Sequence, residues 1–497
     1  MSVSPQYETY EYTARGPVLR AQSIVECRLE GRADDRLLAL SPRVVYGGAE
    51  VLSGEVRYGG KLFFSAVLAS PDGSVAGVER GAEFSHRAPC EDAAPAQRAE
   101  VALHVEKAEY RLEGRSLILS AIVTADIALY APVQLRYLSG GDGVVCDRSP
   151  VRVVRTFPCE GVFAQEEEFE TDYVGDILLH SEQVCLSRVV AEPGSLDVAG
   201  EVNLSVLAKK EGENEVVSYE RLIPFRAEIP CDEAAGGLPC DARAEVVSAN
   251  LSATCDEEHG RCRILARIEL RVAGRVYRAE EVLMPRDAFC PGFGSAPVRG
   301  KVSAEEPVCA FTAAERVSGS AASDGPLAEA LQAAALCGVQ IAATVSDGSV
   351  ACEGVLDAVV FGRDAEGAPA SARVSLPFAF PVRSDRARAG DRAVVTALCC
   401  GVSVRRRGEP EAEGSLKLFV TLYGSEEGEY VSDLAVGAPA DEAAGAVTVF
   451  FPAAGDTLWQ VAKKLDRPPE EIGAAAPGLS FPLAGGERII LWRRKEQ

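Results

Sequence analysis

The chain has 497 residues, 47% of them hydrophobic and 25% charged, which is ordinary globular composition and enough for three or four domains. Its formal net charge of −23 argues against nucleic acid and anionic membrane as general partners, since both would repel it. No apolar run approaches the roughly 18 residues needed to cross a bilayer, so no transmembrane segment is expected.

In chain order, residues 1–16 have neither a basic start nor an apolar stretch, so no export signal is expected. Strand patterns then dominate, at 51–68, 117–129, 196–208, 264–276, 350–361 and 416–423, where β-branched and apolar residues alternate or run together. Turn clusters at 71–73, 140–143 and 407–410 separate them. The Ala- and Leu-rich stretch 326–336 reads as a helix. Residues 425–446 are rich in Gly, Ala and acid and read as a tether, with 435–446 as the linker proper. Fifteen cysteines are an odd number at irregular spacing. Several, such as Cys185, Cys337 and Cys399, sit in apolar runs as small hydrophobes, so a reducing cytosol is expected and not a disulfide framework.

A weak repeat runs beneath these strands. A glycine opens an apolar strand at Gly54, Gly200 and Gly354, and Phe84, Phe225 and Phe378 follow by 30, 25 and 24 residues. Cys90, Cys231 and Ser384 stand six residues further on, and Ala99, Ala244 and Ala393 begin the next strand. The expected architecture is mainly β: three related antiparallel domains at 1–145, 146–300 and 301–434, then a small module at 447–493.

In that module Leu458, Val461, Ala462 and Leu465 fall on one helical face, and Thr457 and Gln460 fit a capping box behind Gly455. Pro469, Glu470 and Glu471 suit the first turn of a second helix, whose inner face would be Ile472, Ala475 and Ala476. Strands at 447–451 and 488–492 flank the pair, giving strand, helix, helix, strand. Residues 455–497 carry 7 Lys+Arg against 6 Asp+Glu, so a net +1 module follows a body of net −24.

The run GDTLW and the closing PGLSFPLAGGERIIL resemble a LysM domain. That resemblance implies a groove for N-acetylglucosamine-containing glycan between two loops, here Gly455, Asp456, Thr457 and Leu458 on one side and Leu479, Ser480, Phe481, Pro482 and Leu483 on the other. Ala476 stands where the family usually has Asn, and Pro452 where a strand valine is usual. Together with the repeated β units, the module makes nearly the whole chain similar to the SPOCS/LysM proteins of spore-forming Firmicutes. The resemblance implies a non-enzymatic protein, made in the mother cell cytoplasm and acting at the forespore surface in spore envelope and coat assembly. It implies contact between the LysM domain and a spore-coat morphogenetic ATPase.

Chemistry-bearing motifs are sparse. Residues 54–62 lack the phosphate-loop spacing, with Leu62 where a hydroxyl must meet magnesium, and no G-x-S-x-G or H-E-x-x-H run exists. Cys255, His259 and Cys262 could hold zinc, or could mark a hairpin tip. Among His86, His104, His180 and His259, the residues His104 and His180 read as core or edge histidines. Glu166, Glu167 and Glu168 read as a solvated face. No cofactor and no catalytic residue is expected. Two functions remain: a scaffold that recruits a protein partner through the module, or a peptidoglycan-binding protein anchored to cell wall or spore cortex. An enzyme acting on wall material is a third class without a catalytic constellation. For the first, the loops would expose Leu458, Leu479, Phe481 and Leu483 beside Trp459 and Trp492, ringed by Lys463, Lys464 and Arg488. Trp459 could equally be a core residue of so small a fold.

Overall fold

The computed structural model describes residues 3–492 apart from 31, 33, 173, 211–214, 257, 259, 321–326, 406–410 and 440–446. It is mainly antiparallel β, and the strands repeat as three units of one plan. The first unit is β1 (Ser4–Glu30), β2 (Arg36–Leu52), β3 (Glu55–Ala69), β4 (Val75–Pro89), β5 (Arg98–Glu113) and β6 (Ser116–Asp142). The second is β7 (Val145–Asp172), β8 (Val174–Glu192), β9 (Ser195–Lys210), β10 (Val216–Pro230), β11 (Cys240–Asp256) and β12 (Arg261–Phe289). The third is β13 (Phe293–Ser320), β14 (Glu329–Ala334), β15 (Gln340–Ser346), β16 (Ser349–Arg363), β17 (Pro369–Arg383), β18 (Arg392–Arg405) and β19 (Glu411–Pro439).

Each unit has one sheet in which its long last strand lies between its first and its next-to-last: β1-β6-β5, β11-β12-β7 and β13-β19-β18. Each also has a meander: β2-β3-β4, β10-β9-β8, and β14 and β15 on β16 with β17 beyond. The meander packs on the first sheet, with β1 beside β4 and β2 beside β5, so open edges face one another within the unit.

The recurring glycines and phenylalanines have a backbone cause. Gly60 lies opposite Phe84, Gly200 opposite Phe225 and Gly354 opposite Phe378. A Cβ on these glycines would stand 2.1, 2.5 and 2.1 Å from the carbonyl oxygens of Val45, Cys185 and Gln340 on the neighbouring strand. That strand carries a bulge next to Tyr46 and next to Leu186, and in the third unit it has only just resumed as β15. The bulge presses a carbonyl onto the central strand, and only glycine leaves room. The repeat register is therefore Gly60, Gly200 and Gly354. Gly54, expected as their counterpart, belongs instead with Gly194 and Gly348, hairpin residues at φ +78°, +84° and +80°. Each of these three donates to Ala93, Ala234 or Ala387 and accepts from Cys90, Cys231 or Ser384. With this correction the glycine-to-phenylalanine offsets agree to within one residue. Ala99 and Ala393 do correspond, each paired with the residue before Tyr130 or Tyr423. Ala244 does not; Cys240 takes that place, opposite Val276.

The three units wind about a common centre. At one end Leu38, Ala39 and Val67 of the first unit meet Leu178, Leu179 and Leu207 of the second and Ala334, Leu336 and Phe361 of the third. The long strands run on past their own sheets as three ribbons, and these meet in Tyr12, Leu135, Tyr137, Val151, Val153, Met284, Val302 and Tyr430. Between the two layers lies a buried polar knot. Asp241, 3% exposed, accepts from Arg275 at 2.7 and 2.8 Å, from Tyr277 at 2.8 Å, and from Tyr423 of the third unit. Arg275 also reaches Glu100 of the first unit at 3.4 Å, and Tyr130 donates to Glu100 at 2.5 Å. Burial works to raise the pKa of Glu100, but Arg275 and Arg243 outweigh it and hold the carboxyl below its usual range. Burial beside Asp241 drives the Tyr277 and Tyr423 phenols well above theirs.

Neighbouring units also join through a bulge residue on the next-to-last strand. Arg43 donates to the carbonyl of Val247, Gln340 to that of Glu106, and Asn203 to that of Cys399, beside the third bulge. The first unit thus touches the second, the second the third, and the third the first.

Two further expectations fail. Residues 329–334 of the expected helix form strand β14, because pairing with β16 and burial of Ala333, Ala334 and Leu336 override local helix propensity. Residues 425–439 of the expected tether are the second half of β19, paired with β13 from Phe293 onwards; Val431 and Leu434 are buried. The acidic, glycine-rich composition there belongs to a largely exposed ribbon, buried at Tyr430, Val431 and Leu434. The remainder of the expected linker, 440–446, lies outside the described residues.

Candidate binding face of the C-terminal module

After the third unit come β20 (Val447–Phe450), α1 (Leu458–Leu465), α2 (Pro469–Ala475) and β21 (Ile489–Trp492), with β20 and β21 antiparallel. Val461 and Ala462 are fully buried, and Leu458 and Leu465 pack beside them, as the helical spacing predicts. Thr457 caps α1: its hydroxyl accepts from the Gln460 amide at 3.2 Å, and its own amide donates to Gln460 at 2.8 Å. On α2, Ile472 is buried and Ala476 packs on the core, but Ala475 is exposed.

The two loops singled out from the sequence do come together. The Gly455 amide donates to the Leu483 carbonyl at 2.7 Å, and the Leu483 amide to the Asp456 carbonyl at 3.0 Å. The side chains are disposed differently from expectation. Leu483 is buried in the core, and Leu458, Leu479 and Phe481 are half-buried against it. The loops must pack because so small a fold has little else to bury. The Asp456 carboxylate takes Lys464 at 2.7 Å and the Ala453 amide at 2.9 Å, which together hold its pKa below the usual range. The Thr457 hydroxyl serves the cap. Of the nine groove residues, Ser480 alone presents a side-chain hydroxyl to solvent without such a role.

The basic, aromatic face of α1 is turned to the body. Asp287, near the end of β12, accepts from Trp459 Nε1 at 2.9 Å and from Lys463 Nζ at 2.8 Å. Phe289 meets the Trp459 ring edge-on at 5.3 Å, and Asp466 accepts from the Gly292 amide at 2.7 Å. Partial burial works to raise the Asp287 pKa, but its bonds from Lys463 and Trp459 outweigh this and lower it. The expected rim of Lys463 and Lys464 around Trp459 is thus already paired within the chain.

The open apolar face lies on the strands. Side chains of β20 and β21 alternate, and Val447 sits opposite Trp492. Phe450 and Ile489 point into the core, while Val449, Phe451 and Trp492 are 48%, 72% and 76% exposed. The alternation of Val447, Val449 and Phe451 was visible in sequence; that its outer half meets solvent was not, since both faces read as apolar.

Elsewhere, Cys255 and Cys262 are bonded to each other, so neither thiolate is available to zinc, and His259 lies outside the described residues. Among the described residues no group of three or more His, Cys, Asp or Glu could hold a metal ion. His104 is exposed, and His86 packs edge-on against Tyr58. His180 bonds to the buried Glu182, which Arg43 of the first unit also approaches at 3.7 Å. Burial works to lower the His180 pKa, but the Glu182 bond outweighs it, and the net direction is up. Glu166 and Glu168 lie on the outer face of β7 and pair with Arg267 and Arg263, whereas Glu167, expected on the same solvated face, points the other way because strand side chains alternate; it is half-buried and pairs with Arg221 of β10. Among the described residues no helix is long and apolar enough to cross a membrane.

Comparison with protein-family models, with curated proteins and with solved structures finds no match to the chain.

Proposed function

We propose that the chain is a non-enzymatic scaffold of spore envelope and coat assembly, in the manner of the SPOCS/LysM proteins it resembles. It would act in the mother cell at the forespore surface and hold a protein partner, a coat morphogenetic ATPase, on its C-terminal module. The observation that carries this reading is the exposed strand face of Val447, Val449, Phe451 and Trp492, on a module clamped to the body through Asp287. A large aromatic held on a rigid support costs little ordering on binding, which is how interface anchors work.

The test is a pull-down from sporulating cells with the full chain and with Trp492→Ala and Phe451→Ala. Capture of one dominant partner by the native chain, weakened at least tenfold by either variant, supports the scaffold. Equal capture by all three would remove the strand face from the account.

A second reading, glycan binding, is favoured by one observation: the loops at Gly455 and Leu483 do close on one another. Titration with N-acetylglucosamine oligomers separates the two readings. Micromolar affinity that survives Trp492→Ala and falls with substitution at Ser480 would favour the wall-anchored protein.

A further inference from the structure

The tip of the β11–β12 hairpin differs from its two counterparts. Cys255 and Cys262 stand directly opposite in the register, one pair short of the last, Asp256 with Arg261, and their sulfurs are bonded. In the first unit the same hairpin ends on Glu113 opposite Ser116, and in the third the residues between β18 and β19 include no cysteine in the sequence. Cys262 is buried against Ala208, with Val217 and Tyr219 at the margin, whereas Cys255 is half-exposed.

The other thirteen cysteines are free thiols, scattered through buried or half-buried positions. Burial pushes Cys185 and Cys399 up to about 12 and Cys240 and Cys337 up to about 11. Cys159, which lies beside Cys231, is pushed up to about 12 by burial and by that neighbour. Exchange needs a thiolate that can reach a sulfur, and these groups supply almost none. These five thiols are therefore not poised to reshuffle the Cys255–Cys262 bridge, and no free cysteine lies in the cluster around Cys262.

We propose that Cys255 and Cys262 are a reversible dithiol–disulfide pair, exchanged through Cys255 with low-molecular-weight thiols and disulfides, which staples and releases the last rungs of the β11–β12 pairing. On oxidation the Cys255 thiolate attacks a small disulfide RSSR and expels RS⁻, leaving a mixed disulfide. The Cys262 thiolate then attacks the Cys255 sulfur and expels the second RS⁻. The dithiol loses two protons and two electrons, and RSSR becomes two RSH once those protons are taken up. Reduction runs in reverse: a thiolate enters at Cys255 because Cys262 is shielded by Ala208.

The test equilibrates the full-length protein with glutathione buffers from strongly reducing to strongly oxidising, followed by acid quench, alkylation and peptide mass mapping. The expected result is one two-electron step confined to the peptide holding Cys255 and Cys262, reversible from either direction, with the other thirteen cysteines alkylated throughout and the far-ultraviolet circular dichroism unchanged. Cys262→Ser is expected to accumulate a glutathione adduct on Cys255; Cys255→Ser is expected to leave Cys262 without one. The inference is overturned if the bridge forms at no ratio, if other cysteines are bridged equally, if reduction requires unfolding, or if both variants take up glutathione alike.

Discussion

In the second β unit, Leu196, Val198, Val202 and Leu204 belong to a core that also takes in Leu398 and Phe419 of the third unit. In the C-terminal module the core is Val461, Ala462, Ile472, Leu483 and Ile489, with Phe289 the one fully buried residue brought from outside. The first kind of core is shared across sequence separations of well over a hundred residues; the second closes almost within one short segment. Shared cores unfold together, and local ones can loosen alone. The body is therefore expected to behave as one cooperative block of three units, and the module as a local block attached by a clamp.

The strongest way to break this contrast is Asp241→Ala. It leaves Arg275, only 16% exposed at the side chain, without its main partner. Stripping one member from a buried ion pair costs about 3–5 kcal/mol, and the loss should appear as a lower denaturation midpoint for all three units together. Separate transitions for the units, read by hydrogen exchange, would show that the knot does not couple them. Gly354→Ala comes next. Its Cβ would meet the Gln340 carbonyl at 2.1 Å and the Phe378 ring at 2.5 Å, and forced overpacking costs about 1–3 kcal/mol. Calorimetry should again find a single transition, shifted down.

Two substitutions act on the module. Asp287→Ala removes the acceptor of both Trp459 and Lys463. In a Trp492→Phe background, Trp459 is the sole indole, and its emission should move to the red as it is wetted, with the body unaffected. An unchanged spectrum would mean that Phe289 packing holds the module by itself. Thr457→Ala removes the α1 cap and should cost about 1 kcal/mol of module stability, seen as faster amide exchange across 458–465 and nowhere in the body.

The smallest effect concerns the joint between the first and second units. His180 has a raised pKa when folded, so its bond to Glu182 stabilises the fold fully below about pH 6.5, the unfolded value, and is lost as pH rises through the folded value. His180→Gln should therefore lower stability at pH 6 and make little difference at pH 9. A difference that persisted at pH 9 would point to packing and not to charge.

How much of this was legible in sequence follows the same division. The α1 face, the capping box and the strand–helix–helix–strand order of the module were read correctly because local contacts write themselves at fixed spacing. The body was legible as three β units, since Phe84, Phe225 and Phe378 recur. Its register was misjudged because Gly54 and Gly60 both precede that phenylalanine, and only the bulge at Tyr46 distinguishes a turn glycine from a crowded one. The tether was misread because 425–439 is mostly exposed, and pairing with β13 leaves no local mark.

By itself the sequence determined what depends on near neighbours: a β-rich chain, a threefold repeat, a capped helix, and an acidic body ahead of a near-neutral module. Tertiary structure alone decided what depends on distant groups meeting. It joined Glu100, Asp241, Arg275 and Tyr423 from three units in one buried knot, turned Trp459 and Lys463 onto Asp287, and left Trp492 and Phe451 in solvent. The reason is physical. An apolar or charged side chain has the same pattern in sequence whether it ends buried, paired or bare, and only the partner that long-range packing brings beside it chooses among the three.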